Sequence, residues 1–291
     1  MIYTKTDFDG AVAATATFAG HRSEAHAIIR TTLAGHPFHE QLRAISLAAA
    51  GLENQLGMRP VFKRYFLSDP ANQMPLLGGQ QPCACSYIRQ PPLDGTKIAL
   101  WMILEQDPDY VPADHGMWIN SRGRIWLGDA PAVSGSSREM TVQALASLAE
   151  ALAAKGGSLA DNCLRTWFMV RDVDVNYAGV VDGRNELFSR HGLTPRTHFI
   201  ASTGIEGAPA DNSSVVAFNA IADLSLAPEQ ITYIKGASHL NPTIEYGVAF
   251  ERAVAVDYAD RRHVYVSGTG VYYSNQKLPT PSRVENTGGA G

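Results

Sequence analysis

One order of elements, a helix that stops at glycine and is followed by a strand, occurs twice in this chain and most constrains its fold. In the first occurrence the apolar residues are spaced three and four apart, as on one face of a helix: Leu42, Ile45, Ala49, Leu52 and Leu56. Gly57 stops that helix, and residues 60–69 predict a strand that ends before Pro70. We therefore expect this helix to pack one face against a sheet.

The second occurrence follows about a hundred residues later. Its helix face consists of Val142, Leu145, Leu148 and Leu152, and the pair Gly156-Gly157 ends it. Residues 164–170 then predict a strand, and residues 177–191 predict an additional helix. Each copy also predicts a terminal hairpin, formed by residues 83–89 with 97–104 and by residues 197–203 with 214–224.

Two copies of one unit, with a third that begins at Ile231, are the simplest interpretation. The predicted units are residues 1–105, 106–230 and 231–291. Strand-rich segments separated by long helices predict an α+β protein, with mixed sheets backed by helices on one face. A parallel doubly wound sheet is not favoured, because the sequence lacks regular βα alternation and a glycine-rich first turn.

Composition narrows the classes of partner. With 24 basic and 28 acidic residues the formal net charge is −4, which gives no general attraction to nucleic acid. No apolar run approaches the ~18 residues that a membrane-spanning helix needs. The first residues also lack the basic-then-apolar pattern of a signal peptide. We expect no nucleic acid and no membrane among the partners.

The cysteines and histidines do not predict a disulfide framework or a metal site. Cys83, Cys85 and Cys163 are too few for a framework, so small buried thiols and a reducing, cytoplasmic location are the default interpretation. His36 and His39 are close in sequence, but Pro37 intervenes and no carboxylate motif accompanies them. No phosphate loop or nucleophile elbow occurs, and we expect no cofactor.

The second copy contains a strand end rich in hydroxyl groups and flexible backbone. Ser202, Thr203 and Gly204 follow an apolar run, and glycine there permits a ligand to approach the main chain. Arg184, which follows a glycine on the predicted helix, is a candidate to pair with a ligand carboxylate. Arg196 and His198 stand two apart and would project to one side of a strand. Each of these features also has a simpler interpretation. The strand end can be an ordinary strand that ends in a turn, the arginine can be a solvated surface residue, and the histidine can be a hydrogen-bonded structural residue.

A similar grouping opens the third copy. Arg252 precedes a strand that ends in Ser267-Gly268-Thr269, and Glu251 lies beside the arginine. A guanidinium group and oriented backbone amides both favour an anion, which indicates a site for a small carboxylate.

These motifs resemble the YjgF/RidA (Rid) superfamily and, within it, the chorismatases. The strongest local match is the pair of segments 250–253 and 266–269, and the order Arg165-Thr166-Trp167, Asn176, Gly183-Arg184 and residues 201–204 is similar to the chorismatase branch. The resemblance implies small mixed sheets backed by helices, as in chorismate mutase of the Bacillus type, with sites between units of a trimer. The first copy has Cys83-Ala84-Cys85 where the family keeps a substrate-binding arginine, so the resemblance implies a scaffold role there.

The resemblance also implies roles for individual residues. Tyr177, Arg184, Thr203 and Gly204 would contact a carboxylated cyclic substrate, and Arg196 lies nearest the place of the family's carboxylate-binding arginine. His198, Arg252 and Ser267 complete the predicted binding set. Glu251 and Glu206 are the carboxylates beside the matched motifs and the candidates for the catalytic acid. After Thr269 the chain departs from the family pattern and has a composition typical of disorder, which suggests a truncated or frame-shifted third unit.

The implied function is hydrolysis of a small carboxylated metabolite. Rid proteins hydrolyse enamines and imines, and chorismatases hydrolyse the enolpyruvyl ether of chorismate after protonation by a carboxylic acid. The alternative is a non-catalytic binding or regulatory protein, since members of this superfamily have been labelled translation inhibitors or endoribonucleases. Tandem units also predict either a homo-oligomer or a monomeric pseudo-trimer.

Overall fold

The computed structural model describes residues 1–79, 81–129, 134–236 and 240–268, and within them the chain forms three sheets and five α-helices. The first 105 residues provide six strands: β1 (Ile2–Phe8), β2 (Ala11–Phe18), β3 (Glu24–Thr31), β4 (Arg59–Leu67), β5 (Ala84–Arg89) and β6 (Ile98–Glu105). Two helices lie between them, α1 (Phe38–Leu56) and α2 (Pro70–Gln73).

The next segment provides seven strands: β7 (Val111–Pro112), β8 (Met117–Ile119), β9 (Arg124–Leu127), β10 (Cys163–Val170), β11 (Ala201–Glu206), β12 (Ala208–Pro209) and β13 (Val216–Asp223). Its helices are α3 (Ser137–Ala153), α4 (Leu159–Asn162) and α5 (Val173–Arg190). A third sheet contains β14 (Ile231–Ile234), β15 (Ala253–Asp257) and β16 (Arg262–Val266). Four short 3-10 turns lie at Met74–Leu76, Asp114–Gly116, Pro228–Gln230 and Thr243–Tyr246.

The two larger sheets share one topology. The first has the order β1-β2-β3-β6-β4-β5, extended by β12, and the second has β7-β8-β9-β13-β10-β11. In both, one pair is parallel (β4 with β5, β10 with β11) and the other pairs of the shared order are antiparallel. The register shifts at the same place, between Pro60 and Phe62 in β4 and between Cys163 and Arg165 in β10. The third sheet is an antiparallel meander, like β1-β2-β3. The division into three units at residues 105 and 230 stays a prediction.

The predicted helices form for the reasons that the sequence indicates. Helix α1 ends at Gly57, whose φ of 64° is in the left-handed region that glycine adopts without strain. Helix α3 begins with a capping box in which the Glu139 amide donates to the Ser136 hydroxyl and the Ser136 amide donates to the Glu139 carboxylate. The apolar face of α1, including Ile45 and Leu52, packs on the first sheet, and that of α3, including Leu145, packs on the second. The α+β prediction is confirmed.

The predicted hairpins are wrong. Strand β4 lies between β5 and β6, and β10 lies between β11 and β13. The link from β5 to β6 passes around the end of β4, where the Gln90 amide donates to the Leu67 carbonyl and the Ser68 amide donates to the Lys97 carbonyl. Alternating apolar residues predict a strand but not its partner. The sequence therefore could not distinguish a hairpin of β5 with β6 from the observed pairing of both strands with β4.

The faces of the sheets turned away from the helices meet in an aromatic and aliphatic core. The rings of Phe62 and Trp126 stack with centroids 5.3 Å apart, joining the first two sheets. Val254 and Val256 of β15 pack into the same cluster. Burying side chains of this size stabilises the fold by about 1.5–3 kcal/mol each. In the described part of the chain, no helix has both the length and the apolar character needed to cross a bilayer.

Candidate functional site

Helix α5 directs two of the predicted binding residues toward strand β11. Tyr177 and Arg184 stand seven residues apart, two helical turns, and therefore share a face. Gly183 brings α5 close to α3, because a Cβ at that position would lie 2.7 Å from the Arg138 carbonyl oxygen. Arg184, the next residue on this closely packed helix, carries a charge but is only 1% exposed.

Arg184 is the most unusual side chain of this group. Its Nη1 lies 3.2 Å from the Ser202 hydroxyl, which also accepts a hydrogen bond from Thr166 at 2.8 Å. Its Nε and Nη2 have no hydrogen bond of good geometry among the described residues, although the Tyr177 side chain is close enough to interact with the group. Burial lowers the pKa of this guanidinium, although the nearby Tyr177 and Tyr246 side chains oppose the shift. A buried guanidinium with spare donors is a ready partner for an anion.

Gly204 and Tyr177 form one wall beside Arg184. A Cβ on Gly204 would lie 2.7 Å from Cε2 of the tyrosine ring, so glycine is needed for the ring to approach β11 this closely. Ser202 and Gly204 are two apart on the strand and thus face α5 together.

The segment that leads into β15 supplies the opposite wall. Phe250 lies within cation–π range of both Arg184 and Arg252, with guanidinium carbons 5.9 and 5.3 Å from the ring centroid. Arg252 is buried, donates to the Asn241 carbonyl at 2.9 Å and lies over the ring of Tyr246. A cavity of about 110 Å³ adjoins this wall and is lined by Lys235, Phe250, Glu251 and Arg252 among others.

Ser267 fastens the third sheet to β11. Its hydroxyl donates to the Glu251 carbonyl at 2.6 Å and accepts from the Ser202 amide at 2.9 Å. A parallel bridge between Ala201 and Glu251 continues the same seam. The structure therefore brings together Tyr177, Arg184, Gly204, Arg252 and Ser267 from the predicted set.

The two predicted acids occupy different surroundings. Glu251 is 3% exposed, and its Oε1 accepts from the Phe199 amide at 3.0 Å. Glu206 is exposed at the end of β11, where its Oε2 accepts from the Val173 amide at 2.8 Å. Glu206 thus satisfies a free amide at the start of α5 and stabilises that helix end.

Thr203 belongs to the other face of β11. Its hydroxyl accepts from Nη2 of Arg165 at 2.6 Å and from the Gly268 amide at 2.8 Å. Alternation along the strand places it opposite Ser202, so Thr203 does not share the face of Ser202 and Gly204 that is turned toward Arg184. The prediction that grouped all strand-end residues in one cradle is corrected on this point.

Arg196 and His198 are not on a strand. Arg196 is exposed in a turn that starts at Pro195, and β11 begins only at Ala201. The Thr197 hydroxyl bonds back to the Gly192 carbonyl, which holds this turn. His198 stacks on Tyr233 at 3.7 Å and its Nε2 lies 3.0 Å from the Ala160 carbonyl, a structural arrangement. The prediction that Arg196 and His198 project to one side of a strand is wrong.

Sequence reasoning assigned no role to a second pair of buried arginines, Arg64 and Arg165, although Arg165 belongs to the matched motif Arg165-Thr166-Trp167. Their guanidinium carbons lie 5.4 and 4.6 Å from the ring of Trp167. Burial lowers the pKa of Arg64 to about 10, an effect that Asp129 opposes, and burial with repulsion from Arg64 lowers that of Arg165 to about 9. The signal was weak, since Arg64 lies in the middle of an ordinary strand pattern.

Arg64 also connects to a partly buried acid, Asp129. Its Nη2 donates to Oδ1 of Asn219 at 2.7 Å, and Nδ2 of Asn219 donates to Asp129 at 3.0 Å. Burial raises the pKa of Asp129. The arginine and Asn219 are 155 residues apart in sequence, so no local pattern could have indicated this contact.

Within the described ranges no group of three or more His, Cys, Asp and Glu side chains is placed to hold a metal ion. Thr269 and the predicted disordered residues 270–291 lie outside the described residues.

The shared sheet topology and the seam around Arg184 can be compared with solved structures. A chorismatase structure matches over 72% of this chain and 62% of its own, with a TM-score of 0.53 and 15% identity. This chain has a chorismatase-like fold. It spans only 62% of that chorismatase, so the chorismatase-like fold alone does not establish the activity.

Two further structures match smaller parts of the chain. One is a YjgF-family protein from Neisseria meningitidis (TM-score 0.30, 22% identity, 41% of this chain and 87% of that one). The other is an uncharacterised protein from Pseudomonas aeruginosa (TM-score 0.30, 17% identity, 37% and 87%). No protein-family profile and no curated protein sequence matches the chain.

Proposed function

We propose that the protein binds a small carboxylated metabolite at Arg184 and hydrolyses an enol ether or an enamine within it. The observation that carries this proposal is the buried guanidinium of Arg184, which has two nitrogen atoms without a hydrogen bond of good geometry in the described chain and has the Tyr177 side chain beside it. A carboxylate accepts two parallel hydrogen bonds from such a group, and it would offset the cost of burying the charge.

The surrounding side chains suit a planar unsaturated acid. Tyr177 and Phe250 offer ring surfaces on two sides of Arg184, and Ser202 offers a hydroxyl. Arg252, which also lies within cation–π range of Phe250, adds positive potential. These features favour a small anion over an uncharged or cationic ligand.

Glu251 is the better of the two candidate acids, because it is buried beside Arg252 whereas Glu206 caps α5 in solvent. In our scheme Glu251 donates its proton to the terminal carbon of the double bond, leaving an oxocarbenium or iminium ion. Water adds to the cationic carbon and loses a proton, and the adduct collapses. An enolpyruvyl ether then yields pyruvate and an alcohol, and 2-aminoacrylate yields pyruvate and ammonia.

The test is to incubate the protein with chorismate and, separately, with 2-aminoacrylate generated in situ, and to measure pyruvate and ammonia. Pyruvate from chorismate indicates the ether hydrolase, and faster release of ammonia than in buffer indicates the enamine hydrolase. Arg184→Lys keeps the charge but not the two-pronged donor, so we expect a loss of about 10–100-fold in kcat/KM. Arg190→Lys, on the exposed side of the same helix, is the matched control. Turnover of neither compound, or an Arg184→Lys variant that retains full activity, would contradict the proposal.

A further inference from the structure

A second cavity, of about 600 Å³, lies on the side of the sheets away from Arg184. Its walls come from all three sheets, including β3, β9 and β16. Three of the four tryptophans of the chain line it, namely Trp101, Trp126 and Trp167. A largely apolar cavity of this size with a few converging polar groups has the properties of a small-molecule site.

Two cations lie behind the indole rings of this cavity. Arg64 lies over Trp101 at 5.2 Å and over Trp167 at 5.4 Å, and Arg165 lies over Trp167 at 4.6 Å. Neither arginine is among the residues that line the cavity. A cation on one side of an aromatic ring weakens the attraction of the other side for a second cation and favours an electron-rich or anionic group.

The remaining charges of the cavity are largely balanced. Arg124 lies 3.6 Å from Glu24 and 3.3 Å from Glu105, and Arg261 lies 3.0 Å from Asp260. Arg64 and Arg165 form no direct ion pair among the described residues. Asp129, which shares Asn219 with Arg64, offsets part of the charge of that arginine, so the unbalanced positive charge comes mainly from Arg165. Potential from buried charges acts through the low-dielectric core and is screened little by salt.

We infer that this cavity, here called the tryptophan cavity, is a second binding site that takes a planar aromatic carboxylate. The indoles of Trp101 and Trp167 provide surfaces on which a ring can pack, and the positive potential behind them selects an anion. This site is separate from the Arg184 seam, since neither Arg184 nor Ser202 lines it.

The experiment uses three probes of the same shape and different charge: 4-nitrobenzoate, 4-nitrobenzyl alcohol and 4-nitrobenzylammonium. Each is titrated into the 291-residue protein while tryptophan fluorescence is followed, because the nitro group quenches indoles at contact distance. We expect saturable quenching by the benzoate, with a Kd at least about 10-fold below those of the alcohol and the ammonium compound. Quenching without saturation, or equal or tighter binding of the cation, would overturn the inference.

Variants separate this site from the rest of the molecule. Val264 lines the cavity and is 49% exposed, so Val264→Glu adds a carboxylate at its mouth without disturbing the core. This variant should weaken 4-nitrobenzoate binding about 10-fold and leave the alcohol unchanged. Trp118→Phe, which removes the tryptophan outside the cavity, should leave both affinities unchanged. Arg184→Lys should lose pyruvate release but keep the quenching, so the two proposals fail independently. Benzoate binding that is insensitive to Val264→Glu would place the site elsewhere.

Discussion

The guanidinium groups of Arg184 and Arg252 lie over one aromatic ring, that of Phe250, at 5.9 and 5.3 Å from its centroid. One arginine comes from helix α5 and the other from the segment just before β15, so the ring joins α5 to the segment that leads into the third sheet. Both cations are nearly fully buried. Two buried positive charges so close together lower the stability of the empty protein, and a bound anion would offset this cost.

Replacing Arg184 with methionine should stabilise the empty protein while abolishing carboxylate binding. Methionine fills a similar volume and removes two buried donors that make no hydrogen bond of good geometry among the described residues. We expect the free energy of unfolding to rise by about 1–2 kcal/mol, measured by urea denaturation. Ser202 keeps its hydrogen bond from Thr166 in this variant. Arg190→Met, on the exposed side of α5, is the control and should change stability by less than about 0.5 kcal/mol. A large loss of stability in Arg184→Met would show that the arginine is structural.

Adding a methyl group at Gly204 should damage the site through Tyr177. The new Cβ would lie 2.7 Å from the tyrosine ring, which must move away from β11. We expect a loss of about 1–3 kcal/mol in unfolding free energy and weaker ligand binding, measured by denaturation and by titration. Gly79→Ala is the matched control, because a Cβ at Gly79 meets no atom within 4 Å. Gly204→Ala combined with Tyr177→Ala should recover part of the stability if the clash is the cause.

The sequence predicted much of the architecture but not how the strands pair. Helix α1, its end at Gly57, and strands β4 and β10 agree with periodicity and glycine position, because these are local effects. The insertion of β4 between β5 and β6 depends on long-range pairing, which alternation does not encode.

The candidate site shows the same division. The resemblance to chorismatases led to Tyr177 and Arg184, which the fold places on one face of α5. Thr203 was assigned to the same cradle, but strand alternation turns it toward Arg165 instead. Arg64 escaped notice because its partner Asn219 lies 155 residues away in sequence. Contacts of that separation require the three-dimensional fold.

Removing the Ser267 hydroxyl should loosen the third sheet. This hydroxyl donates to the Glu251 carbonyl and accepts from the Ser202 amide, and both groups are buried. Ser267→Ala leaves that amide without its acceptor, at a cost of about 1–3 kcal/mol in unfolding free energy. Hydrogen exchange should be faster at Ser202 than in the parent protein. Ser213→Ala, at an exposed serine, should have no comparable effect. Unchanged exchange at Ser202 would mean that water replaces the hydroxyl and that the seam does not depend on it.

Acid should destabilise the protein through His263 and Glu24. Burial, only partly opposed by Glu24, lowers the pKa of His263 to about 4. For Glu24 burial acts upward, but the hydrogen bond from His26 and the charge of Arg124 bring its pKa to about 2. The unfolded chain takes up a proton on the histidine near pH 6.5, before the folded chain does, so stability falls as the pH drops from about 6.5 to 4. Protonation of Glu24 lowers the stability further as the pH falls from about 4.5 to 2.

The histidine contribution can be isolated by His263→Gln, which removes the titrating group. We expect the parent protein to lose about 2 kcal/mol more than this variant between pH 7 and pH 4, measured by urea denaturation at each pH. His39→Gln, at an exposed histidine, is the control and should follow the parent curve. Because His263 lines the tryptophan cavity, a bound aromatic carboxylate that held the imidazolium form would raise the pKa of His263 and flatten the pH dependence. Equal pH dependence in the parent and in His263→Gln would show that the imidazole is protonated with the same pKa in the folded and unfolded chains, and that the burial of His263 does not control acid stability.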